Sequence, residues 1–497
     1  MANGKHSKRK NNPQPDDVPA VRVRMFRQGL GDCFLVTFDV GRNERHMLID
    51  CGTLGKKSTA VEIDDIADDI FESLGPDGRL DIVVATHEHE DHLSGFRNKA
   101  LRKLKGKVDH VWLAWTEDPE DEQARKIAKA KQDVGQALAA IVEAQPQAEV
   151  SHHVRDLLAF AGDLSAGPLG FASTVNDAME FVRTGLGGET AYFKPGALIT
   201  EEWLPGFRIY VLGPPRDAKW LKELGEHGSE ELYGLQKAAE LRAVLAMDGP
   251  ATDADPQVAL DLARPFDQQF SWRGKAIKRR VYPRYCSKEN QWRAIDDDWL
   301  SIASRLALQL DSLTNNTSLV MAIERIADGR VLLFPGDAQL GSWLSWHESQ
   351  MQWTVADAAG EQRTITTADL IARTVFYKVG HHASHNATAR EKGLELMVNQ
   401  SELTAFIPVD RELALTRNPK GSWQMPAPLL YRSLLEKCQG RVVRSDLGWA
   451  RKPKPGQNSE SQFGELGSEA KWKEWARSQA AAKHVKIEVD FAEYRLE

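Results

Sequence analysis

Six consecutive residues, His87, Glu88, His89, Glu90, Asp91 and His92, set three imidazoles among carboxylates inside the stretch "ATHEHEDHLSGF". Imidazole nitrogens and carboxylate oxygens are the ligand atoms that zinc takes up, and manganese or iron accept the same set. His87 and His89 stand two apart on what reads as extended chain, so both rings can point to one side and hold a single ion. Asp91 and His92 open the segment that follows and could reach a second ion beside the first. The spacing therefore builds two adjacent half-sites. A chance surface cluster would need four coordinating residues in register at the mouth of a buried strand.

The segments around the cluster decide whether it can be held in place. "RLDIVVATH" has an almost fully apolar interior, as expected for a strand covered on both faces. The cluster sits where this strand runs out, a common address for the active site of a layered α/β fold. Upstream, "VRVRMF", "CFLVTFDV" and "HMLIDCGT" alternate apolar and polar residues between Gly and Asp turns, which predicts a β-meander. "IDDIADDIFESLG" has helical spacing and ends at glycine. Helical spacing also predicts a helix over "DHLSGFRNKALRKLKG", and "VDHVWLAW" reads as the next strand. Strand character returns in "TAYFKPGALI", "FRIYVLGPP", "SLVMAIERI", "GRVLLFPGD", "TVFYKVGHH" and "ELTAFIPVD".

Two stretches interrupt this series. Residues 117–188 are charged and helical, and residues 216–312 mix helices with the basic, aromatic run "WRGKAIKRRVYPRYCSKENQWR". The expected organisation is a disordered basic tail over 1–19, then one core over 20–450 interrupted at about 117–188 and 216–312. A linker, helix and strand over 451–497 would complete the chain.

Composition narrows the function classes. A chain of 497 residues has ample length for a large core, and its net charge of −7 gives no overall attraction to nucleic acid or anionic lipid. A polyanion would need a local basic patch. Four cysteines without CxxC spacing argue for a reducing compartment. The first residues are basic and polar with no apolar h-region, and no run approaches the ~18 apolar residues of a spanning helix. The expectation is a cytoplasmic protein with no membrane association.

The pattern HxHxDH, with the segments that follow it, resembles the metallo-β-lactamase superfamily. That resemblance implies an α/β fold, an αββα sandwich of two mixed sheets flanked by helices, here carrying two largely helical insertions. It implies that Asp50 of "LIDCGT" orients a ligating histidine and that Asp337 of "LLFPGDA" bridges both metals. From "YKVGHHASHNAT" it implies that His381 or His382 is the remaining ligand. The implied ligand set is thus His87, His89, Asp91, His92, Asp337 and His381 or His382, around two divalent ions, zinc first and manganese second.

Within the superfamily the chain is most similar to the hydrolase domain of the competence protein ComEC and its soluble relatives. "GLGDCFLV" resembles their "GQGD" turn, "NNTSLVMAI" their Asn-Ser-Leu-Val strand and "VGHHASHNAT" their "GHHGS" element. The likeness runs from Val21 to about Gly448 outside the insertions. Three departures stand out. A histidine that many relatives place before the Gly-Asp strand has no counterpart, because His110, His152, His153 and His227 lie in or beside the insertions. Asn316 or an insertion histidine would then complete the first ion. Met425 in "GSWQMPAP" falls where relatives carry a histidine, which removes that residue as a proton donor. ComEC's membrane channel is absent, so DNA transport does not carry over.

Two cations a few ångströms apart lower the pKa of a bridging water toward ~7 and clamp the oxygens of an in-line displacement. On the resemblance, Asp91 and Asp337 hold the ions and receive the water proton. His381, His382 and Ser384 stand where an anionic substrate oxygen is stabilised. The reaction implied is hydrolysis, and the ComEC-like segments imply a phosphodiesterase or nuclease acting on nucleic acid or a nucleotide. Lys275, Lys278, Arg279, Arg280 and Arg284, interleaved with rings such as Trp272 and Tyr282, suit a single strand. Arg97, Lys99, Arg102, Lys103, Lys105 and Lys107 form a second basic segment. Two other readings stay open: a hydrolase of another ester, thioester or lactam, and a non-catalytic subunit that docks protein partners through its helical insertions, as in a multi-protein defence system.

Overall fold

The computed structural model describes residues 18–41, 43–55, 61–76, 78–144, 172–221, 298–348, 351–357, 359–417, 425–446 and 484–497. The basic stretch at 273–293 with Lys275, Lys278, Arg279, Arg280 and Arg284, together with His152, His153 and His227, lies outside the described residues. So do residues 1–17, residues 145–171 of the first insertion and residues 222–297 of the second.

The meander forms as its alternation requires: β1 (Val21–Phe26), β2 (Cys33–Asp39) and β3 (Glu44–Cys51) pair antiparallel in turn. After helix α1 (Ile63–Ser73), β4 (Leu80–Ala85) lies parallel to β3, and β5 (Val108–Ala114) lies parallel to β4. β6 (Glu189–Phe193) ends this first sheet on one side. The second sheet runs from β7 (Leu198–Ile199) through β8 (Phe207–Gly213), β9 (Val320–Arg325), β10 (Val331–Phe334), β13 (Thr374–Lys378) and β14 (Thr404–Ile407) to β15 (Val442–Arg444). Its last four strands are parallel neighbours.

Successive side chains of a strand face opposite ways, and the core is divided accordingly. Ile82 and Val84 of β4 join Phe34, Phe334 and Phe376 in an apolar layer between the two sheets. Val83 and Ala85 turn outward with Leu35 and Leu48 to meet Ile66 and Ile70 of α1, and Val175 and Met179 of α4 (Ala172–Glu180). On the far side, Leu212, Ala322 and Leu333 meet a second helical layer. It contains Leu138 of α3 (Glu122–Ala144), Leu310 of α5 (Asp298–Asn315), Trp343 of α6 (Leu340–Glu348) and Leu434 of α7 (Pro428–Lys437). Helix, sheet, sheet and helix are therefore stacked around three apolar layers, the αββα sandwich expected from the sequence. α3 and α5, which come from the two insertions, share one layer. Among the described residues no helix is long and apolar enough to cross a membrane.

Three elements differ from the sequence expectation. The helix expected over "DHLSGFRNKALRKLKG" is short, Glu90–Leu93, and gives way to 3-10 turns at Ser94–Arg97 and Leu101–Leu104. Gly95 passes so near Cys51 that a Cβ would lie 2.6 Å from its carbonyl oxygen, so contact with the end of β3 shapes this backbone more than helical spacing does. A hairpin of β11 (Gln352–Ala356) and β12 (Gln362–Thr366) buries Trp353, Val355 and Ile365 over the second sheet. Finally β17 (Phe491–Leu496), read from the sequence as part of a segment beyond the core, pairs along the whole of β1, and β16 (Val485–Ile487) pairs with it. The chain's end thus closes the first sheet.

The basic run from Arg97 is partly committed to structure. Arg97 pairs with Glu90 at 2.6 Å, while Arg102 and Lys107 lie over the rings of Phe181 and Phe71.

Candidate metal centre

The parallel strands of both sheets release their chains at one edge, and a hydrogen bond from Leu319 N to Thr86 O at 2.8 Å joins the sheets there. β4 is extended by Thr86, whose amide and hydroxyl donate to the two oxygens of Asp50, each at 2.7 Å. Asp50 Oδ2 also pairs with His92 Nδ1 at 2.7 Å. One carboxylate thus fixes the strand end and the ring of His92, whose Nε2 is turned inward. An orienting carboxylate is the part that the resemblance implies for Asp50.

Two tight loops press against the cluster. Asp32 N donates to Asp91 O and Gly52 N to Asp32 O, both at 2.9 Å. A Cβ on Gly52 would lie 2.3 Å from the carbonyl carbon of Asp91. Gly52→Ala is therefore expected to push the Asp91 backbone outward and cost about 1–3 kcal/mol, the usual range for overpacking. Denaturant unfolding measures that loss, and elemental analysis should find less bound metal.

The inward atoms converge closely. His87 Nε2 lies 3.0 Å from His89 Nδ1, His92 Nε2 lies 3.2 Å from Asp337 Oδ2, and His382 Nε2 lies 2.8 Å from Asp91 Oδ2. Ligand atoms of His87, His92 and Asp337 fall within 4.8 Å of one another, and so do those of Asp91, Asp337 and His382. Asp337 belongs to both groups, the position a carboxylate shared by two ions requires. Its Oδ1 accepts from Lys378 Nζ at 2.9 Å and from His381 N at 2.8 Å, which leaves Oδ2 for the centre. A third group joins Asp32, Asp50 and His92.

The choice between His381 and His382 is made by the backbone. His381, His382 and Ala383 all have positive φ, at 41°, 51° and 61°. Three such residues in a row are costly for L side chains and persist only where surrounding contacts overdetermine them. Here His381 N is held by Asp337, and His382 Nδ1 pairs with Pro408 O at 2.5 Å, which turns its Nε2 toward Asp91. The ring of His381 instead meets Ser384 Oγ at 2.9 Å and Gln339 Nε2 at 3.3 Å, and it enters none of the three groups. Ser384 also donates to Asn386. Asn316 accepts from Gln339 N and donates to Leu221 O, so its side chain braces the neighbouring loop. His110 stacks on Trp203, ring centres 5.1 Å apart, and joins none of the groups.

Three charged residues at the centre were not singled out from sequence. Asp32, from the "GLGD" turn, and Asp337 both pair with the buried ammonium of Lys378. Asp311, on α5, has its Oδ1 3.9 Å from His89 Nε2. Asp32 and Lys378 lie in the quoted segments "GLGD" and "YKVGHHASHNAT", whereas Asp311 lies in none of them. Their effect is electrostatic. Five buried carboxylates, those of Asp32, Asp50, Asp91, Asp311 and Asp337, face one buried lysine. Burial, then Asp91 and Asp337, push the Asp311 carboxyl up to about 8. Burial also raises Asp32, to about 6, against the pull of Lys378. For Asp91 burial is outweighed by His92 and His382, which hold its carboxyl down at about 2.

Buried polar atoms are rarely left unpaired, yet Asp32 Oδ1, His89 Nε2, Asp91 Oδ1, His92 Nε2 and Asp337 Oδ2 have no hydrogen-bond partner. Surplus carboxylate charge and inward-facing nitrogen and oxygen atoms without partners are what divalent cations satisfy, so the residues present fit a metal centre. No curated protein matches the sequence. Residues 27–167, which carry β2, β3, β4, β5 and the HxHxDH cluster, match the model of the metallo-β-lactamase superfamily, and together with the four-layer architecture this identifies the fold as that of a metallo-β-lactamase domain.

Proposed function

We propose that the protein is a metal-dependent phosphodiesterase or nuclease that works with two divalent cations, zinc or manganese. The observation that carries this reading is the double membership of Asp337, whose carboxylate lies in one ligand group with His87 and His92 and in another with Asp91 and His382. His87, His89, His92 and Asp337 would hold one ion, and Asp91, Asp337 and His382 the other. Such a pair acts as a Lewis acid and brings the pKa of water toward ~7.

The chain's own groups set the rest. Lys378 and His381 N pin Asp337 by one oxygen, so the other is presented in a fixed direction. The bond to Pro408 O leaves His382 Nε2 as the inward face of its ring, beside Asp91, whose carboxyl His92 and His382 keep ionised. His381 would donate to an anionic substrate oxygen, and Ser384, whose hydroxyl proton goes to Asn386, would steady the His381 ring at Nδ1.

A charged cleft favours an anionic substrate. A cavity of about 490 Å³ is lined by Arg125, Lys129, Lys131 and Gln132 of α3, by Asn176 of α4 and by Glu88, the residue between His87 and His89. Phosphate oxygens are natural partners for such cations. The ComEC-like likeness of "GLGD" and "YKVGHHASHNAT" supports the same substrate class; Asp32 and Lys378 of those two segments pair with each other.

The test is a substrate panel on the full chain, stripped of metal and reloaded with zinc or manganese: a bis-aryl phosphate, single-stranded DNA and RNA, a cyclic nucleotide, a lactam and a thioester. Phosphodiester cleavage is expected from the wild type and should fall by on the order of 10³-fold in His89→Ala, the loss of roughly 4 kcal/mol of metal assistance. Turnover of the lactam or thioester alone would move the protein to the other hydrolase reading. Two bound ions with no hydrolysis would favour the docking subunit.

A further inference from the structure

An imidazole offers a metal one nitrogen, and which one it offers is set by the partner that holds the other. His89 Nδ1 stands 3.0 Å from His87 Nε2, so these two nitrogens address one point. On the opposite edge of the ring, His89 Nε2 is buried without a hydrogen-bond partner. The group facing it is Asp311 Oδ1, at 3.9 Å. Asp311 is itself 8% exposed, and its Oδ2 accepts from Asn315 Nδ2 at 3.2 Å, which leaves Oδ1 turned to the histidine.

We infer that Asp311 is a positioning residue of the metal centre: its carboxylate holds His89 Nε2–H, so that the Nδ1 lone pair faces the point also addressed by His87. A distance of 3.9 Å exceeds the 2.7–3.2 Å of an N–H···O bond, and a movement of about 1 Å by either side chain closes it. Asp311, like His89, belongs to none of the groups whose ligand atoms lie within 4.8 Å of one another, so the Asp311→Asn variant below separates holding His89 from direct ligation.

The same segment braces the other half of the centre. Five residues after Asp311, Asn316 Oδ1 receives Gln339 N at 3.1 Å, and Ser318 Oγ receives the amide of Asp337 at 3.0 Å. The end of the second insertion thus reaches His89 on one side and the Asp337 loop on the other. The insertion becomes a working part of the centre, and it supplies a carboxylate where no further histidine is found among the described residues. This inference rests on the metal-binding reading and adds to it a residue outside every motif quoted from the sequence.

The test compares the full-length wild type with Asp311→Ala and Asp311→Asn. Each is stripped and reloaded with zinc, with stoichiometry from elemental analysis, affinity from competition with a chromophoric chelator, and melting of the stripped protein as a control. Asp311→Ala should bind one of its two ions about 10–100-fold more weakly, the usual cost of losing such a partner, with the other ion unaffected. Asp311→Asn keeps an oxygen that accepts Nε2–H, so it should retain most of the affinity. Melting of the stripped variants should not fall.

Wild-type affinity for both ions in Asp311→Ala would overturn the inference while leaving the metal reading intact. A loss in Asp311→Asn as deep as in Asp311→Ala would overturn it in favour of direct ligation, and a parallel fall in melting temperature in favour of a merely structural role. A wild type that takes up no zinc would end both readings. Should Asp311→Ala not fold, Asp311→Leu, which fills the same volume, takes its place with the same expectations.

Discussion

Asp337→Ala is expected to leave the protein with at most one tightly held ion and to lower phosphodiester hydrolysis by at least about 10³-fold. Asp337 is the residue common to the two ligand groups, one with His87 and His92 and the other with Asp91 and His382. Its loss therefore weakens both ions at once, whereas the loss of a single histidine weakens one. Metal assistance is worth several kcal/mol to a displacement, and each 1.36 kcal/mol is tenfold in rate, which sets the lower bound. Elemental analysis after dialysis reads the ions, and turnover of a bis-aryl phosphate reads the rate. Retention of both ions and of wild-type turnover would remove Asp337 from the centre. Asp337→Asn separates charge from shape, since an amide can occupy the same place without neutralising Lys378.

Lys378→Met should destabilise the metal-stripped protein by about 3–5 kcal/mol, the range for removing one partner of a buried ion pair. Lys378 is 2% exposed and is held by Asp32, Asp337 and the carbonyl oxygen of Gly336. Burial opposes its charge, but Asp32 and Asp337 outweigh burial and raise its pKa above the ordinary lysine value. A folded-state pKa above the unfolded one gives stability that is complete below the unfolded value of about 10.4 and is lost only as pH rises through the folded value. Lys378 is thus charged at every ordinary working pH. Met preserves most of the volume and none of the charge, so two carboxylates are left facing each other. Urea unfolding with and without metal provides the check. The deficit should shrink in the loaded protein, because divalent cations supply the charge that Met does not. An equal deficit in both forms would mean that Lys378 acts through packing and not through the carboxylates.

The ease of reading this chain varied with the distance over which each feature is specified. The strands were legible because period-two alternation and unbroken apolar runs are local, and β4 buries every residue of its run. The cluster from His87 to His92 was legible because its ligand types sit within one turn of chain. Its continuation as a helix was misjudged, since Gly95 is drawn against Cys51, a residue 44 positions earlier, and that contact overrides local spacing. The last strand was placed outside the core because nothing in "FAEYRL" announces that β1 is its partner 470 residues away.

By itself, then, the sequence determined the strand segments and the HxHxDH cluster, and through the family resemblance it implied the two-sheet architecture and pointed to Asp50 and Asp337, which the structure brings to His92. Only the tertiary structure decided that His382, and not His381, turns inward, because that depends on a left-handed backbone held by Asp337 and Pro408. It alone brought Lys378 between Asp32 and Asp337, and Asp311 beside His89. The reason is physical. Coordinating side chains declare themselves by type, but the charges that make their burial tolerable come from wherever the chain returns to the same sheet edge, and that return is written in packing between distant segments.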